Sequence, residues 1–175
     1  MLGIVESVLS KTKHTLMEAP TGSGKSITAI IAAYVLYKYY AKTSYILVSD
    51  LSLFAQYEND IAKLNANCFG CIKGKENYIC NSNGCPASQS ECSLAGVSIS
   101  SLVNGKDEKF TCSEFCKYVH DYRKAMHSPI TLMTYQLYFI QRNYVEDSLF
   151  GGNNRNFPAR DLVICDECHN ICSIC

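Results

Sequence analysis

The sequence carries no net charge: 16 lysines and arginines cancel 16 aspartates and glutamates over 175 residues. Without a basic excess there is no electrostatic case for nucleic-acid binding, so any such function has to rest on motifs. Long apolar runs are also missing. The longest, Ile27 to Tyr37, stops at Lys38, well short of the roughly 20 residues that a membrane span needs. Near the N-terminus Glu6 interrupts the apolar run and no small-residue cleavage site follows, which argues against a secretory signal. The expectation is an intracellular, reducing setting (cytoplasm or nucleus, or a host cell if the chain is viral) and no membrane partner. There, the 11 cysteines are thiols or metal ligands rather than a disulfide framework. With 47% apolar and 18% charged residues, the chain has the profile of a single globular domain.

His14 to Ala19 reads as a short buried strand, followed by the turn residues Pro20, Thr21, Gly22, Ser23 and Gly24. From Lys25 to about Tyr40 apolar residues recur at helical spacing. Ser44 to Ser49 is nearly continuous in apolar residues, as a parallel strand covered on both faces requires. Leu53 to Leu64 has the pattern of an amphipathic helix. Strand, helix, strand, helix is the opening of an α/β sheet. From Asn65 to Cys116 the periodicity fades and Asn, Ser, Gly and Cys dominate, so that stretch needs something other than an apolar core to hold it. Helical patterning returns around Phe115 to Met126. A strand over Ile130 to Thr134, a helix over Gln136 to Tyr144, a polar loop over Gly151 to Pro158 and a buried strand over Asp161 to Cys165 complete the reading.

Two motifs carry chemistry. Ala19 to Ser26 (APTGSGKS) matches the phosphate-loop pattern except that Ala19 replaces the first glycine. Gly22 and Gly24 let backbone N–H groups turn toward phosphate oxygens without a Cβ in the way. Lys25 can reach the terminal phosphates of ATP and the Ser26 hydroxyl can ligate Mg²⁺. The second motif follows the last strand, where Asp166 is placed to hold Mg²⁺ and Glu167 to orient or deprotonate an attacking water. His169, beside them, is a candidate for coupling the site to a neighbouring domain. Lys25, Asp166 and Glu167 are thus the expected catalytic group. Pro20, Thr21, Gly22, Ser23, Gly24, Lys25 and Ser26 are the expected ATP contacts.

The cysteines divide into three sets. Cys165, Cys168, Cys172 and Cys175 have metal-site spacing, but gathering them on one ion would destroy the acidic turn, so they read as small apolar residues. Cys68 and Cys71 lack a second pair at ribbon spacing and read as structural. Cys80, Cys85, Cys92, Cys112 and Cys116 lie in a segment with little else to fold it. Four of these thiolates would suffice for Zn²⁺ or a 4Fe–4S cluster, and the chemistry alone does not choose between them.

Taken together, the motifs resemble the superfamily 2 iron–sulfur helicases of the XPD and DinG type. EAPTGSGKS is similar to their motif I. YILVSDLSLFAQYENDI resembles motif Ia, with Gln56 at its usual glutamine. KGKENYIC, from Lys73, is similar to the segment supplying the first cluster cysteine, and the stretch from Cys116 to that supplying the last. DLVICDECHNICSIC resembles motif II, with Cys168 in place of the usual alanine.

The resemblance implies a RecA-like P-loop parallel sheet with an inserted cysteine-rich cluster subdomain. Residues 1–66 would form the P-loop part, 67–117 the insertion, and 118–175 the return to the sheet with the DExH motif. It implies Cys80, Cys85, Cys92 and Cys116 as cluster ligands, with Cys112 as the alternative, and Gln56 and His169 as coupling residues. It also implies an ATP-dependent 5′-to-3′ helicase acting on single-stranded DNA or a forked duplex, with Tyr78, Lys73 and Lys75 facing nucleic acid. A packing tyrosine and solvated lysines are the plain alternative for those three. The chain stops after motif II, so it corresponds to an incomplete motor domain, its second motor domain supplied in trans or missing, and weak turnover is expected of it alone. The rival expectations are a P-loop ATPase with a structural zinc knuckle and no unwinding activity, and a non-catalytic module that binds nucleotide or single strands.

Overall fold

The computed structural model describes residues 2–10, 14–20, 22–96, 116–146 and 157–171. Four strands, β1 (Ser44–Val48), β2 (Phe69–Cys71), β3 (Ile130–Thr134) and β4 (Leu162–Cys165), form one sheet in the order β2-β3-β1-β4. Every pairing is parallel: Ser44 lies opposite both Ile130 and Leu162, and Phe69 opposite Ile130. The helices are α1 (Leu2–Leu9), α2 (Lys25–Tyr40), α3 (Leu51–Leu64), the single turn α4 (Glu91–Leu94), α5 (Lys117–His127) and α6 (Tyr135–Glu146).

Strand side chains alternate between the two faces of the sheet, and both faces are covered. Ile46 and Val48 of β1 join Ile130 and Leu132 of β3 beneath α2 and α3, which contribute Ile30, Ala33, Phe54, Tyr57 and Ile61. Tyr45 and Leu47 face the other way, with Met133, into a cluster with Tyr118, Val119, Tyr122 and Ala125 of α5 and Tyr135 and Leu137 of α6. Two-sided cover explains why β1 reads as an unbroken apolar run. It is buried at every position.

The helices begin and end where local chemistry dictates. Asp50 caps α3 by accepting the Leu53 N–H at 2.9 Å, and Asn65 ends it in the left-handed region at φ 48°, which asparagine tolerates better than most residues. Along α3, Phe54, Tyr57 and Ile61 recur on one face and are buried. Burying a side chain such as Phe54 contributes about 1.5–3 kcal/mol.

Three features depart from the sequence reading. Residues 14–20 form no strand and are largely exposed; Leu16 is 85% accessible. Among the described residues no strand pairs with that segment, and apolar pattern alone cannot supply the missing hydrogen-bond partner. The last strand of the reading, β4, is not buried either. It lies at the edge of the described sheet with β1 as its neighbour, and Val163 (39% accessible) and Cys165 face outward. Finally, Phe69–Cys71 is a strand of the main sheet although it falls in the segment assigned to the insertion. Three residues are too few to show a period.

The segment after β2 is tied down by Tyr78. Its ring meets Tyr118 edge-on at 5.2 Å and its hydroxyl accepts the Lys73 N–H at 3.2 Å. Beyond it the chain doubles back in a turn closed by Cys80 N–H to Cys85 carbonyl (2.8 Å) and Gly84 N–H to Cys80 carbonyl (2.9 Å). None of the helices among the described residues is long and apolar enough to cross a membrane.

Two contacts generate predictions. Gly70 of β2 lies so close to α5 that an added Cβ would sit 2.5 Å from the Ala125 Cα and 2.9 Å from its nitrogen, both backbone atoms. Gly70→Ala is therefore expected to destabilise the fold by about 2 kcal/mol or more, read as a lower urea midpoint. An unchanged midpoint would mean that α5 can retreat at no cost. At the start of β4, Asp161 accepts from Thr43 N–H (2.8 Å), Thr43 Oγ1 (2.9 Å) and Lys42 Nζ (3.0 Å). These bonds, the Thr43 N–H first, pull its carboxyl down to about 2 from 3.8. The bonds favour the ionised form, so the stabilisation is complete above about pH 4 and fades as pH falls toward about 2. In Asp161→Asn that part of the acid dependence should disappear. Denaturant melts taken across this range would refute the assignment if variant and parent ran parallel.

Candidate nucleotide site

The loop between residue 19 and α2 follows from its glycines. Gly22 and Gly24 sit at φ 79° and 80°, the left-handed region that L side chains rarely adopt. The Ser23 N–H donates to the Pro20 carbonyl at 3.3 Å, and the Thr28 N–H to the Gly24 carbonyl at 2.9 Å begins the helix. Thr21 lies outside the described residues. No side chain caps α2 and its first turn holds no acidic residue. Among the described residues no side chain claims the first N–H groups of this 16-residue helix, which is the arrangement that binds phosphate. Lys25 and Ser26 are the first two residues of that helix.

The acidic turn comes up beside it. Because β1 and β4 are parallel, the strand end that leads into α3 and the end that leads into Asp166 lie at one edge of the sheet. The Asp166 N–H donates to the Leu47 carbonyl at 3.0 Å, and Tyr135 Oη donates to the Asp166 carbonyl at 2.9 Å. The carboxylate accepts the Glu167 N–H on Oδ1 at 2.9 Å and Tyr57 Oη on Oδ2 at 2.7 Å. Glu167 itself is left-handed at φ 51°, a conformation that costs a non-glycine residue on the order of 1 kcal/mol. It opens the 3₁₀ turn Cys168–Asn170.

Lys25 Nζ lies 3.3 Å from Glu167 Oε1, and His169 Nδ1 lies 3.4 Å from Glu167 Oε2. Lys25 and His169 thus both reach Glu167, which follows Asp166 in the chain as Ser26 follows Lys25. Gln56 does not join them: it lies on the exposed side of α3. The oxygen donors here, a hydroxyl and carboxylates, are hard ligands of the kind Mg²⁺ takes. Tyr57 and Tyr135 were not singled out by the sequence reading. The signal was there: Tyr57 falls on the buried face of α3 three residues after Phe54, where a hydroxyl needs a partner.

The cysteines stand as follows. Cys80 is buried and its Sγ is 3.0 Å from Ser82 Oγ; that bond lowers its thiol from the ordinary value. Cys85 Sγ donates to Asn83 Oδ1 at 2.8 Å, and Cys92 Sγ is 3.2 Å from Ser90 Oγ. Cys92 and Cys116 both pack against the cluster that holds Tyr78 and Ala87. Among the described residues no three of His, Cys, Asp and Glu are gathered as a ready-made metal site. Cys112 lies outside the described residues, as do Cys172 and Cys175. Burial raises the Cys71 thiol to about 12 and also raises Cys68, so both stay protonated. Cys165 and Cys168 are exposed thiols at the acidic turn, not buried apolar residues as their pattern suggested.

The three residues expected on a nucleic-acid face are otherwise engaged. Tyr78 is buried, as above, and cannot stack on a base. Lys73 Nζ pairs with Glu58 at 3.0 Å and sits 4.8 Å over the Phe54 ring. Lys75 Nζ lies 5.7 Å over the Tyr118 ring.

Residues 2–173 match the family model described as the type III restriction enzyme, res subunit. A probable ATP-dependent helicase of Methanocaldococcus jannaschii is 24% identical over an alignment of 188 residues that covers 98% of this chain and 27% of that protein. The chain therefore spans about a quarter of the length of that relative. No solved structure matches it at a comparable level of significance.

Proposed function

Because the chain belongs to the family of the type III restriction enzyme res subunit, we propose that it is an ATP-binding part of an ATP-dependent helicase. The observation that carries this is the meeting of Lys25 with Glu167 at 3.3 Å, beside Asp166 and under the uncapped start of α2. In this reading the loop N–H groups and Lys25 hold the β- and γ-phosphates, and Lys25 exchanges Glu167 for them. Ser26 and Asp166 would hold Mg²⁺, which would supply positive charge to the phosphates. Glu167, released from Lys25, faces the attacking water, and His169 follows its movement. Phosphoryl transfer is accelerated by about 10³–10⁵ when a further cation reaches the leaving charge. A second motor domain is the proposed source of that cation, and single-stranded DNA or a forked duplex the proposed track.

The finer assignment, to the iron–sulfur type, rests on Cys80, Cys85, Cys92 and Cys116, with Cys112 as the alternative ligand. The donor set fits a soft metal. Four described thiols border one segment, Cys80 is eased toward the thiolate by Ser82, and the Cys80–Cys85 turn is held by backbone hydrogen bonds. A cluster bound there would staple the segment and could transfer electrons. The thiols' part is to release protons and ligate. The same turn also suits Zn²⁺, which makes a zinc-stapled ATPase without unwinding activity the second reading.

Lys25→Ala is expected to weaken ATP binding at least tenfold, given the worth of a charge-assisted contact, and to leave the folded state and any cluster absorbance unchanged. Equilibrium binding of a fluorescent ATP analogue checks it, and equal affinities would remove the nucleotide reading. For the metal, anaerobically purified protein should be brown, and Cys116→Ser should bleach it. A colourless parent with one equivalent of zinc would overturn the cluster assignment.

A further inference from the structure

Tyr57 is 0% accessible on the buried face of α3, where phenylalanine would fill the same space. A hydroxyl taken out of water is costly unless it is partnered, and this one donates to Asp166 Oδ2 at 2.7 Å. The other bond to that carboxylate comes from the main chain, through the Glu167 N–H. Among the described residues Tyr57 is thus the side chain that orients the Asp166 carboxylate. Ser26 stands at the same site, next in the chain to Lys25, whose Nζ is 3.3 Å from Glu167 Oε1. Tyr57 thus holds one of the two groups, Ser26 and Asp166, to which the proposed function gives the metal ion, although they lie far apart in sequence.

We propose that Tyr57 is the positioning residue of the divalent-cation site, fixing Asp166 Oδ2 so that it can share one ion with Ser26. The proposal rests on the nucleotide reading of the site. Each Asp166 oxygen keeps a lone pair after accepting its hydrogen bond, so Tyr57 constrains the carboxylate without occupying it. Partners that orient metal-binding carboxylates in this way change metal affinity about 10–100-fold when removed. In purely structural terms, by contrast, the hydroxyl would serve to pack α3 on the sheet and would be indifferent to the ion.

The test is a titration of Mg²⁺ into protein and a fluorescent ATP analogue, read as binding rather than turnover. In Tyr57→Phe the Mg²⁺ concentration giving half of the effect should rise about tenfold or more, while affinity measured in EDTA stays at the parent value and the thermal midpoint moves by a few degrees at most. In an Asp166→Asn background, Tyr57→Phe should add no further Mg²⁺ demand. As a control, Tyr122→Phe removes another buried tyrosine hydroxyl, one with no hydrogen-bond partner among the described residues, and should leave the titration unmoved. An unchanged Mg²⁺ midpoint in Tyr57→Phe, an equal loss with and without Mg²⁺, or loss of the fold would each overturn the positioning role. If the parent binds the analogue, such a result leaves the nucleotide reading standing. A parent that binds no analogue with Mg²⁺ present brings down both.

Discussion

Parallel pairing of β1 with both β3 and β4 is the constraint on which the rest of this molecule depends. In a parallel sheet every strand ends at the same edge, so the loops that leave those ends are brought together whatever their separation along the chain. Here that edge receives the β1-to-α3 connection, the residues after β4, and the start of α2. The Asp166 N–H to Leu47 carbonyl bond at 3.0 Å extends the β1–β4 ladder by one step past the last strand residue. The main chain at Asp166 is therefore fixed by the sheet, and its carboxylate is fixed by what the sheet packs against, α3 through Tyr57.

The opposite end of the same pair of strands is held by a different device. The Asp161 carboxylate binds the Lys42–Thr43 turn through three hydrogen bonds, so β4 is pinned to β1 at its start by side-chain chemistry and along its length by the ladder. This matters because β4 lacks what secures the interior strands. It has one strand beside it among the described residues, and Val163 and Cys165 are open on one face. A strand with so little burial relies on polar ties for its register, and that register sets where Asp166 and Glu167 emerge.

How much of this was legible from the sequence depended on whether a feature is local. Gly22, Gly24 and Lys25 declare a phosphate loop because their roles follow from backbone conformation and charge within eight residues. The apolar run of β1 and the amphipathic period of α3 likewise carry their own evidence. Burial is a different matter. His14 to Ala19 and Asp161 to Cys165 have the same apolar look as β1, yet the first is exposed and the second half open, because cover and strand neighbours come from elsewhere in the chain. The role of Tyr57 was only half legible for a related reason: its buried position on α3 can be read, but its partner lies 109 residues away. Tyr78 misled in the reverse sense, an aromatic among lysines that suggests stacking until Tyr118 is found against it.

The electrostatics of the site bear on the proposed binding of a triphosphate. Lys25 is paired with Glu167, both side chains being partly open at 25% and 32% accessibility. A pair in that much contact with water contributes no more than about 1 kcal/mol, so in the proposed reading phosphate oxygens backed by the α2 N-terminus would displace Glu167 at little cost. Glu167 is also held at φ 51°, in a conformation that does not stabilise it, while its neighbour Asp166 is anchored at four atoms: the amide, the carbonyl and both carboxylate oxygens. The two acids therefore differ in freedom more than in chemistry. Asp166 is the fixed carboxylate, as the proposed metal-ligand role requires. Glu167, tethered to Lys25 and touching His169, is the one that would change partners if phosphate entered. The division between a fixed and a movable carboxylate is built by the tyrosines behind Asp166 and by the lack of any such backing behind Glu167 among the described residues.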